Sequence, residues 1–248
     1  QASDISSEAA VVMEDSTNTI LYSKNADEVL FPGSTVKIMT CLLALENCQL
    51  TDEVTMTATG VSGVTDGGAS IASQVDEVFT IEQCLYAIMV ASANDIALQI
   101  AEHTGGSVEA FVQMMNDRAT ALGCTNTVFT NPTGLPDENQ HTTAHDMALI
   151  MQAAIQSDAF RTIAAATSYT IPATNKAAAR NLTSKFTMTD TGNSGFYEGC
   201  IGGKEGYTEA SGSTLVCAAQ RNGMTLISVV LKGASGRSEE RRVGKECR

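Results

Sequence analysis

The sequence has no tryptophan and only four prolines. No apolar run approaches the roughly 20 residues that cross a bilayer, so no membrane-spanning helix is expected within it. Basic residues are scarce as well, because 15 Lys and Arg stand against 28 Asp and Glu, for a formal net charge of −13. This balance argues against nucleic acid as a partner, since a phosphate backbone is bound through positive charge.

Metal-binding patterns are also missing. The seven cysteines include no C-x-x-C pair and no spacing typical of a zinc site. His141 and His145 are four residues apart and could share a metal, but the Glu of a zinc-protease motif is absent between them. We expect capping or local hydrogen bonding for these two histidines, and we predict no metal and no cofactor.

The segment from Pro32 to Leu45 predicts a nucleophile at the start of a buried helix. Ser34 and Lys37 are three residues apart, which places both side chains on one face of a helix. The run after Lys37 is apolar on every side, as in a core helix. Burial disfavours a protonated amine, and a neutral Lys37 could take the proton of the Ser34 hydroxyl. The alternative is that Ser34 only caps the helix while the Lys37 amine reaches solvent.

Strand-like segments lie near both ends of the chain, with helical periodicity between them. The segments with strand character are residues 9–15, 19–23, 200–204, 213–219 and 224–231. Residues 50–79 have little periodicity and are expected to be irregular. A capping box at Thr80 to Gln83, other capping signals and apolar stripes predict several helices between about residues 80 and 155. We therefore predict an α+β fold, in which helices flank one antiparallel sheet closed by distant segments.

Two further polar motifs follow the first one along the chain. Ser92-Ala93-Asn94 lies where two predicted helices meet, a rigid place from which to present a hydroxyl and an amide. Lys204-Glu205-Gly206 lies on the first of the late strands. With Ser34-x-x-Lys37, these motifs stand in the order known from β-lactamases and penicillin-binding proteins. The set is far more specific than any one motif.

The residues around these motifs resemble the low-molecular-weight D-alanyl-D-alanine carboxypeptidases, which are penicillin-binding proteins, over about residues 8–232. The stretches that carry the resemblance are Pro32 to Ser34, Ala91 to Asp95, Asn131 to Leu135, His141 to Ala144 and Gly203 to Thr208. The resemblance implies a β-lactamase/transpeptidase-like fold, with an all-helical lobe inserted between the N- and C-terminal strands.

The resemblance also implies catalytic roles for Ser34, Lys37 and Ser92. Ser34 would attack the carbonyl of the penultimate D-Ala of a peptidoglycan stem peptide and release the terminal D-Ala. Lys37 would take the serine proton, and Ser92 would relay a proton toward the leaving amine. Water then hydrolyses the acyl-enzyme, in a two-step covalent scheme. β-Lactam antibiotics such as penicillins would acylate the same serine.

Substrate binding is implied for a second group of residues. Asn94 would hold the substrate amide, and Lys204 would supply positive charge near the substrate carboxylate. The backbone N–H groups of Tyr207 and of the nucleophile would form the oxyanion hole. Gly206 and Thr208 complete the expected substrate-binding set.

Glu205 departs from the family pattern, which usually has Thr at this position. A carboxylate pointed into the cleft would repel the substrate's terminal carboxylate by roughly 1 to 4 kcal/mol at about 4 Å. Slow acylation or a preference for another acyl donor is therefore expected. Two alternative functions stay open: a peptidoglycan-binding protein that has lost turnover, and a β-lactamase. The Glu-containing loop of class A β-lactamases is not found in the sequence.

The predicted domain covers residues 1–235, with a helical lobe at about residues 50–160. Residues 236–248 resemble the translation of a sequencing-library adapter, and we interpret them as an artefactual tail. The natural C-terminus would then be missing, and a membrane anchor at that end would be missing with it. The chain opens on Gln1, as expected of a processed segment or a fragment. The resemblance implies an extracytoplasmic protein of the bacterial cell envelope or a secreted one.

Overall fold

The structure is a computed structural model that describes residues 5–64 and 68–233. The strands are β1 (Ala9–Glu14), β2 (Ile20–Lys24), β3 (Glu53–Thr55), β4 (Val78–Thr80), β5 (Ser168–Ile171), β6 (Arg180–Thr183), β7 (Cys200–Thr208), β8 (Gly212–Arg221) and β9 (Met224–Gly233). The helices are α1 (Lys37–Asn47), α2 (Ala58–Val61), α3 (Ile81–Ala91), α4 (Asn94–Gly105), α5 (Val108–Ala121), α6 (Ala144–Ala154) and α7 (Asp158–Ala164). The predicted artefactual tail lies outside the described residues.

A five-stranded sheet in the order β2-β1-β9-β8-β7 joins the two ends of the described chain. Every neighbouring pair in it is antiparallel, and Val11 of β1 stands opposite Val229 of β9. The predicted α+β fold and its sheet closed by distant segments are confirmed. The strand predicted at 200–204 is longer in the structure, because β7 continues through Gly206 to Thr208.

Helix α1 lies at the centre of the molecule. It packs against α3, α4 and α6, while α6 packs against β1 and β9. Its first eight residues, Lys37 to Ala44, are all buried. The fully apolar run of the sequence therefore becomes a core helix, as predicted, and it carries the buried Lys37 with it.

Short elements in two regions were not predicted. Residues 50–79 were expected to be irregular, but they contain α2 and an antiparallel pair of three-residue strands, β3 and β4. Elements of three or four residues are too short to show a periodicity. Helix α7 was also missed, although Ser157 caps it by accepting a hydrogen bond from the Phe160 N–H. By contrast, the predicted capping box at Thr80 is present, with Gln83 as its partner.

No helix in the described part of the chain is long and apolar enough to cross a membrane.

A buried ion pair fastens the β3–β4 region to the β5–β6 hairpin. The Glu77 side chain is fully buried and accepts hydrogen bonds from Arg180 Nη1 at 2.8 Å and Nη2 at 3.0 Å. The Thr174 hydroxyl donates a third, at 2.6 Å. Burial alone would raise the pKa of Glu77, but the bonds from Arg180 and Thr174 outweigh it and lower that pKa. Glu77 is therefore held as a carboxylate.

Replacing Arg180 by Met should lower the free energy of unfolding by about 3–5 kcal/mol, because it leaves the Glu77 carboxylate buried without its cation. The double variant Arg180→Met/Glu77→Gln should recover much of that loss. The measurement is urea unfolding at neutral pH. Since the stabilisation by Glu77 is lost as the pH falls through its lowered pKa, the difference from wild type should shrink in acid.

Arg118→Met is the matched control, because Arg118 pairs with Glu46 on the surface, where both side chains are about one-third exposed. Such a pair is worth about 0–1 kcal/mol. An equal loss for Arg118→Met and Arg180→Met would contradict a special role for the buried pair.

Candidate active site

Ser34 lies in a 3₁₀ turn, Gly33–Val36, that leads directly into α1. Its Oγ atom is 3.5 Å from the Nζ atom of Lys37, so the predicted meeting of hydroxyl and amine is observed. The alternative interpretation, in which Ser34 caps the helix and Lys37 reaches solvent, is wrong. The helix begins after Val36, and Lys37 is 0% exposed.

The Lys37 amine has two carbonyl-type acceptors in addition to its serine neighbour. It donates to Asn94 Oδ1 at 2.8 Å and to the backbone oxygen of Thr133 at 2.5 Å. Burial lowers the pKa of Lys37 well below its ordinary value, and the nearby positive charge of Lys204 lowers it further. A neutral amine has two N–H bonds and one lone pair. Two acceptors use the N–H bonds, which leaves the lone pair for the proton of the serine hydroxyl.

The Thr133 carbonyl is held in place by a loop that sequence reasoning did not assign to the site. Asn131 Oδ1 accepts hydrogen bonds from the backbone N–H groups of Thr133 and Gly134 at 3.2 and 2.8 Å. The Thr40 hydroxyl of α1 fixes the loop further by donating to the Pro132 oxygen at 2.8 Å. The Asn-Pro-Thr-Gly sequence was the available signal, since such residues form side-chain-stabilised turns.

Position 134 requires glycine, because its backbone lies against the 3₁₀ turn that carries Ser34. Its φ angle is +82°, and a Cβ atom would lie 1.9 Å from the Gly33 oxygen. No side chain fits at that distance, so the loop and the Ser34 turn are in direct backbone contact.

Ser92 ends helix α3 in the left-handed conformation, with φ 58° and ψ 32°. A non-glycine residue adopts this conformation at an energetic cost and is often found at functional sites. Its Oγ atom is buried and has no hydrogen-bond partner among the described residues. A buried hydroxyl without a partner is available to a bound substrate.

Asn94 begins helix α4 and is buried. Its neighbour Asp95, which the sequence reasoning did not single out, anchors that helix end. The Asp95 carboxylate accepts bonds from the Ser73 hydroxyl at 2.8 Å and the Ser73 backbone N–H at 3.1 Å. Asp95 thus fixes the backbone position from which Asn94 reaches Lys37.

Strand β7 brings the third motif to Ser34. A Cβ atom on Gly206 would lie 2.8 Å from the Ser34 nitrogen and 3.1 Å from the Ser34 Cβ. This contact explains why the strand continues through a glycine. Tyr207, the next residue on the strand, is 69% exposed. The hydroxyl of Thr208 is 2.8 Å from the Ser211 hydroxyl in the β7–β8 turn.

Lys204 and Glu205 form an ion pair in which the two neighbours on β7 turn toward each other. Lys204 is 1% exposed, and its Nζ donates to Glu205 Oε1 at 3.0 Å and to the Glu205 backbone oxygen at 2.7 Å. Burial alone would raise the pKa of Glu205, but the charge and hydrogen bond of Lys204 outweigh it and lower that pKa. Glu205 is therefore ionised.

Of the two histidines considered as metal ligands, His141 makes the expected local contact, whereas His145 contacts a residue distant in sequence. His141 Nδ1 is 3.0 Å from the Asn139 backbone oxygen, and His145 Nδ1 is 3.4 Å from Asp27 Oδ1. Across residues 5–64 and 68–233, no group of three or more His, Cys, Asp or Glu side chains is arranged to hold a metal.

Comparison with curated proteins finds several relatives. The chain is 34% identical over 254 residues to the D-alanyl-D-alanine carboxypeptidase DacF of Bacillus subtilis, which covers 99% of this chain and 62% of that protein. This chain thus spans about three-fifths of that relative's length. It is 32% identical to the D-alanyl-D-alanine carboxypeptidase of Streptomyces sp. strain K15, over 90% of this chain and 79% of that protein.

Solved structures share the fold. The Streptomyces K15 DD-transpeptidase has a TM-score of 0.91 at 29% identity, covering 99% of this chain and 97% of that one. The D-alanyl-D-alanine carboxypeptidase of Mycobacterium tuberculosis has a TM-score of 0.89 at 26% identity, covering 100% and 91%. A family model described as D-alanyl-D-alanine carboxypeptidase matches residues 1–235. With its three motifs gathered around Ser34, the chain belongs to the D-alanyl-D-alanine carboxypeptidase family.

Proposed function

We propose that this protein is a serine hydrolase that removes the terminal D-alanine from peptidoglycan stem peptides through an acyl-enzyme on Ser34. The observation that carries the proposal is the Lys37 amine. It is fully buried, its pKa is lowered, and it lies 3.5 Å from the Ser34 hydroxyl. A base in this protonation state is what a serine hydroxyl needs for attack at neutral pH.

In the acylation step, Ser34 Oγ attacks the carbonyl carbon of the penultimate D-Ala while its proton passes to Lys37 Nζ. The C–N bond then breaks, and the leaving amine receives a proton through the Ser92 hydroxyl, which is buried and has no partner in the described part of the chain. In the second step, water attacks the ester and frees Ser34. The net reaction of the two steps adds one water molecule across one amide bond.

The proposed substrate site lies along β7, one of the two edge strands of the five-stranded sheet. An outer strand has unpaired backbone N–H and C=O groups on one side, which can pair with an extended peptide. Asn94 would bind the substrate amide and Lys204 its carboxylate end. The backbone N–H groups of Ser34 and Tyr207 would stabilise the oxyanion, which Gly206 permits by lacking a side chain.

We include Thr208 among the proposed substrate contacts through its place at the end of β7, next to Tyr207. Its hydroxyl also joins the β7–β8 turn through Ser211. A substitution at Thr208 would therefore alter the turn as well as any substrate contact.

We also propose that penicillins and other β-lactams acylate Ser34, and that the protein acts outside the cytoplasm, where peptidoglycan lies. Relatives are named carboxypeptidase, endopeptidase and, for the Streptomyces structure, DD-transpeptidase. These activities differ in the amine that leaves or attacks, and they share the acyl-enzyme. Family membership favours a hydrolase of this kind over a β-lactamase or a protein without turnover.

Incubation with a penicillin should add the mass of one intact antibiotic to the protein, as measured by intact-mass spectrometry. Ser34→Ala should show no adduct, because the attacking oxygen is gone. Ser16→Ala is the matched control, since Ser16 is exposed in the β1–β2 turn, and it should be acylated like wild type.

The lifetime of the adduct separates the carboxypeptidase from the β-lactamase. A long-lived adduct is expected, whereas rapid release of hydrolysed penicillin would favour the β-lactamase. No adduct on folded wild-type protein would contradict the proposed nucleophile.

The acylation rate should follow the deprotonation of Lys37. Since the pKa of Lys37 is lowered, the rate should rise with pH through that lowered value and be level above it. Lys37→Arg should abolish acylation, because a guanidinium cannot act as a base at these pH values. The measurement is the second-order rate of penicillin acylation against pH. A rate that climbs until about pH 10.4, the ordinary lysine value, would contradict a buried neutral amine.

A further inference from the structure

Glu205 pairs with the positive charge of Lys204, which the proposed function assigns to binding the carboxylate end of the substrate. Lys204 is almost fully buried, and its Nζ donates to two oxygens of this one residue, Oε1 at 3.0 Å and the backbone oxygen at 2.7 Å. A carboxylate in contact with the ammonium cancels most of its field at longer range. A second carboxylate, brought by a substrate, would meet an ion pair instead of a free cation.

The Glu205 carboxylate is placed near the nucleophile by its bond to Lys204, which lies on the same face of β7 as Gly206 because one residue separates the two. Gly206 lies against Ser34, since a Cβ atom there would be 2.8 Å from the Ser34 nitrogen. The charge of Glu205 also acts on Lys37, whose amine is bonded to Asn94. Glu205 therefore lies beside the cleft and within electrostatic reach of the reacting groups.

The other charges near Glu205 do not restore a free cation. Lys185 is exposed, so solvent screens its charge, and its effect on Glu205 is smaller than that of Lys204. The Lys37 amine already donates to Asn94 and to the Thr133 oxygen, and burial and Lys204 lower its pKa. The group next to the Lys204 ammonium is thus a carboxylate with 22% of its side-chain surface exposed, and it would lie near the leaving residue of a substrate bound at Lys204.

An ionised carboxylate can only accept hydrogen bonds. A terminal carboxylate on the substrate has no N–H to offer and is repelled, whereas a carboxamide is uncharged and has two N–H donors. The carboxamide matches both features of Glu205, its charge and its acceptor oxygens.

We propose that Glu205 makes this enzyme prefer acyl donors whose leaving D-residue ends in a carboxamide over those whose leaving D-residue ends in a free carboxylate. This rests on the proposed function, because the same Ser34 acyl-enzyme is formed from either donor. With the preferred donor, water is added across the scissile amide, and the products are a peptide ending in D-Ala and a D-amino-acid amide.

The test compares kcat/KM for two peptides, N-acylated Lys-D-Ala-D-Ala with a free carboxylate and the same peptide with a terminal carboxamide. Wild type should favour the carboxamide. Glu205→Gln keeps the shape of the side chain and removes its charge, so the carboxamide-to-carboxylate ratio should fall by about tenfold or more. Glu205→Thr should also lower the carboxamide-to-carboxylate ratio. The test then does not depend on the folding of a single variant.

Glu209→Gln is the matched control, because it removes the same charge from an exposed position in the β7–β8 turn and should leave the ratio unchanged. A purely structural role for Glu205 would lower the rates for both peptides together and leave their ratio as it was, which would overturn the inference. Wild type that prefers the carboxylate, or that cleaves neither peptide, would overturn it too. Penicillin uptake by Ser34 then decides whether the proposed function falls with it.

Discussion

The burial of one amine sets the conditions for the rest of the site. Lys37 is fully buried at the start of α1, and its Nζ has two oxygen acceptors, on Asn94 and Thr133, from segments 57 and 96 residues away in sequence. Without these acceptors the buried amine would have no hydrogen-bond partner among apolar side chains, which would destabilise the fold by on the order of several kcal/mol. The α3–α4 junction and the Asn131 loop must therefore converge on α1, and in converging they place Asn94 against the Lys37 amine, which lies next to Ser34.

Electrostatics in the cleft depends on three charged or chargeable groups acting together. Lys204 lowers the pKa of Lys37, and Glu205 acts on Lys37 in the opposite direction. The ion pair on β7 thus moderates the influence of Lys204 on the base while it reduces the positive field offered to the substrate. On our proposal, a change at Glu205 would affect both proton transfer and substrate choice, which is why selectivity between two donors is more informative than a rate with one.

Local patterns in the sequence predicted the features that depend on neighbours along the chain. The spacing of Ser34 and Lys37, the buried character of α1 and the capping box at Thr80 all follow from helix geometry, and the structure has them. The carbonyl of Thr133 could not be predicted, because any residue type has a carbonyl and its partner is 96 residues distant. Strand alternation aims Glu205 away from Lys204, and only the structure shows the carboxylate turning back to the amine.

The central claim is that the Lys37 amine, 3.5 Å from the Ser34 hydroxyl, loses its proton at a pH well below the ordinary lysine value. The most direct test is an NMR titration of protein with isotope-labelled lysine side chains, with Lys37→Arg identifying the resonance. The account predicts that the Lys37 signal changes at a pH well below that of the exposed lysines. If the Lys37 signal titrates with those of the exposed lysines, at about pH 10.4, the amine is charged at neutral pH and the account is contradicted.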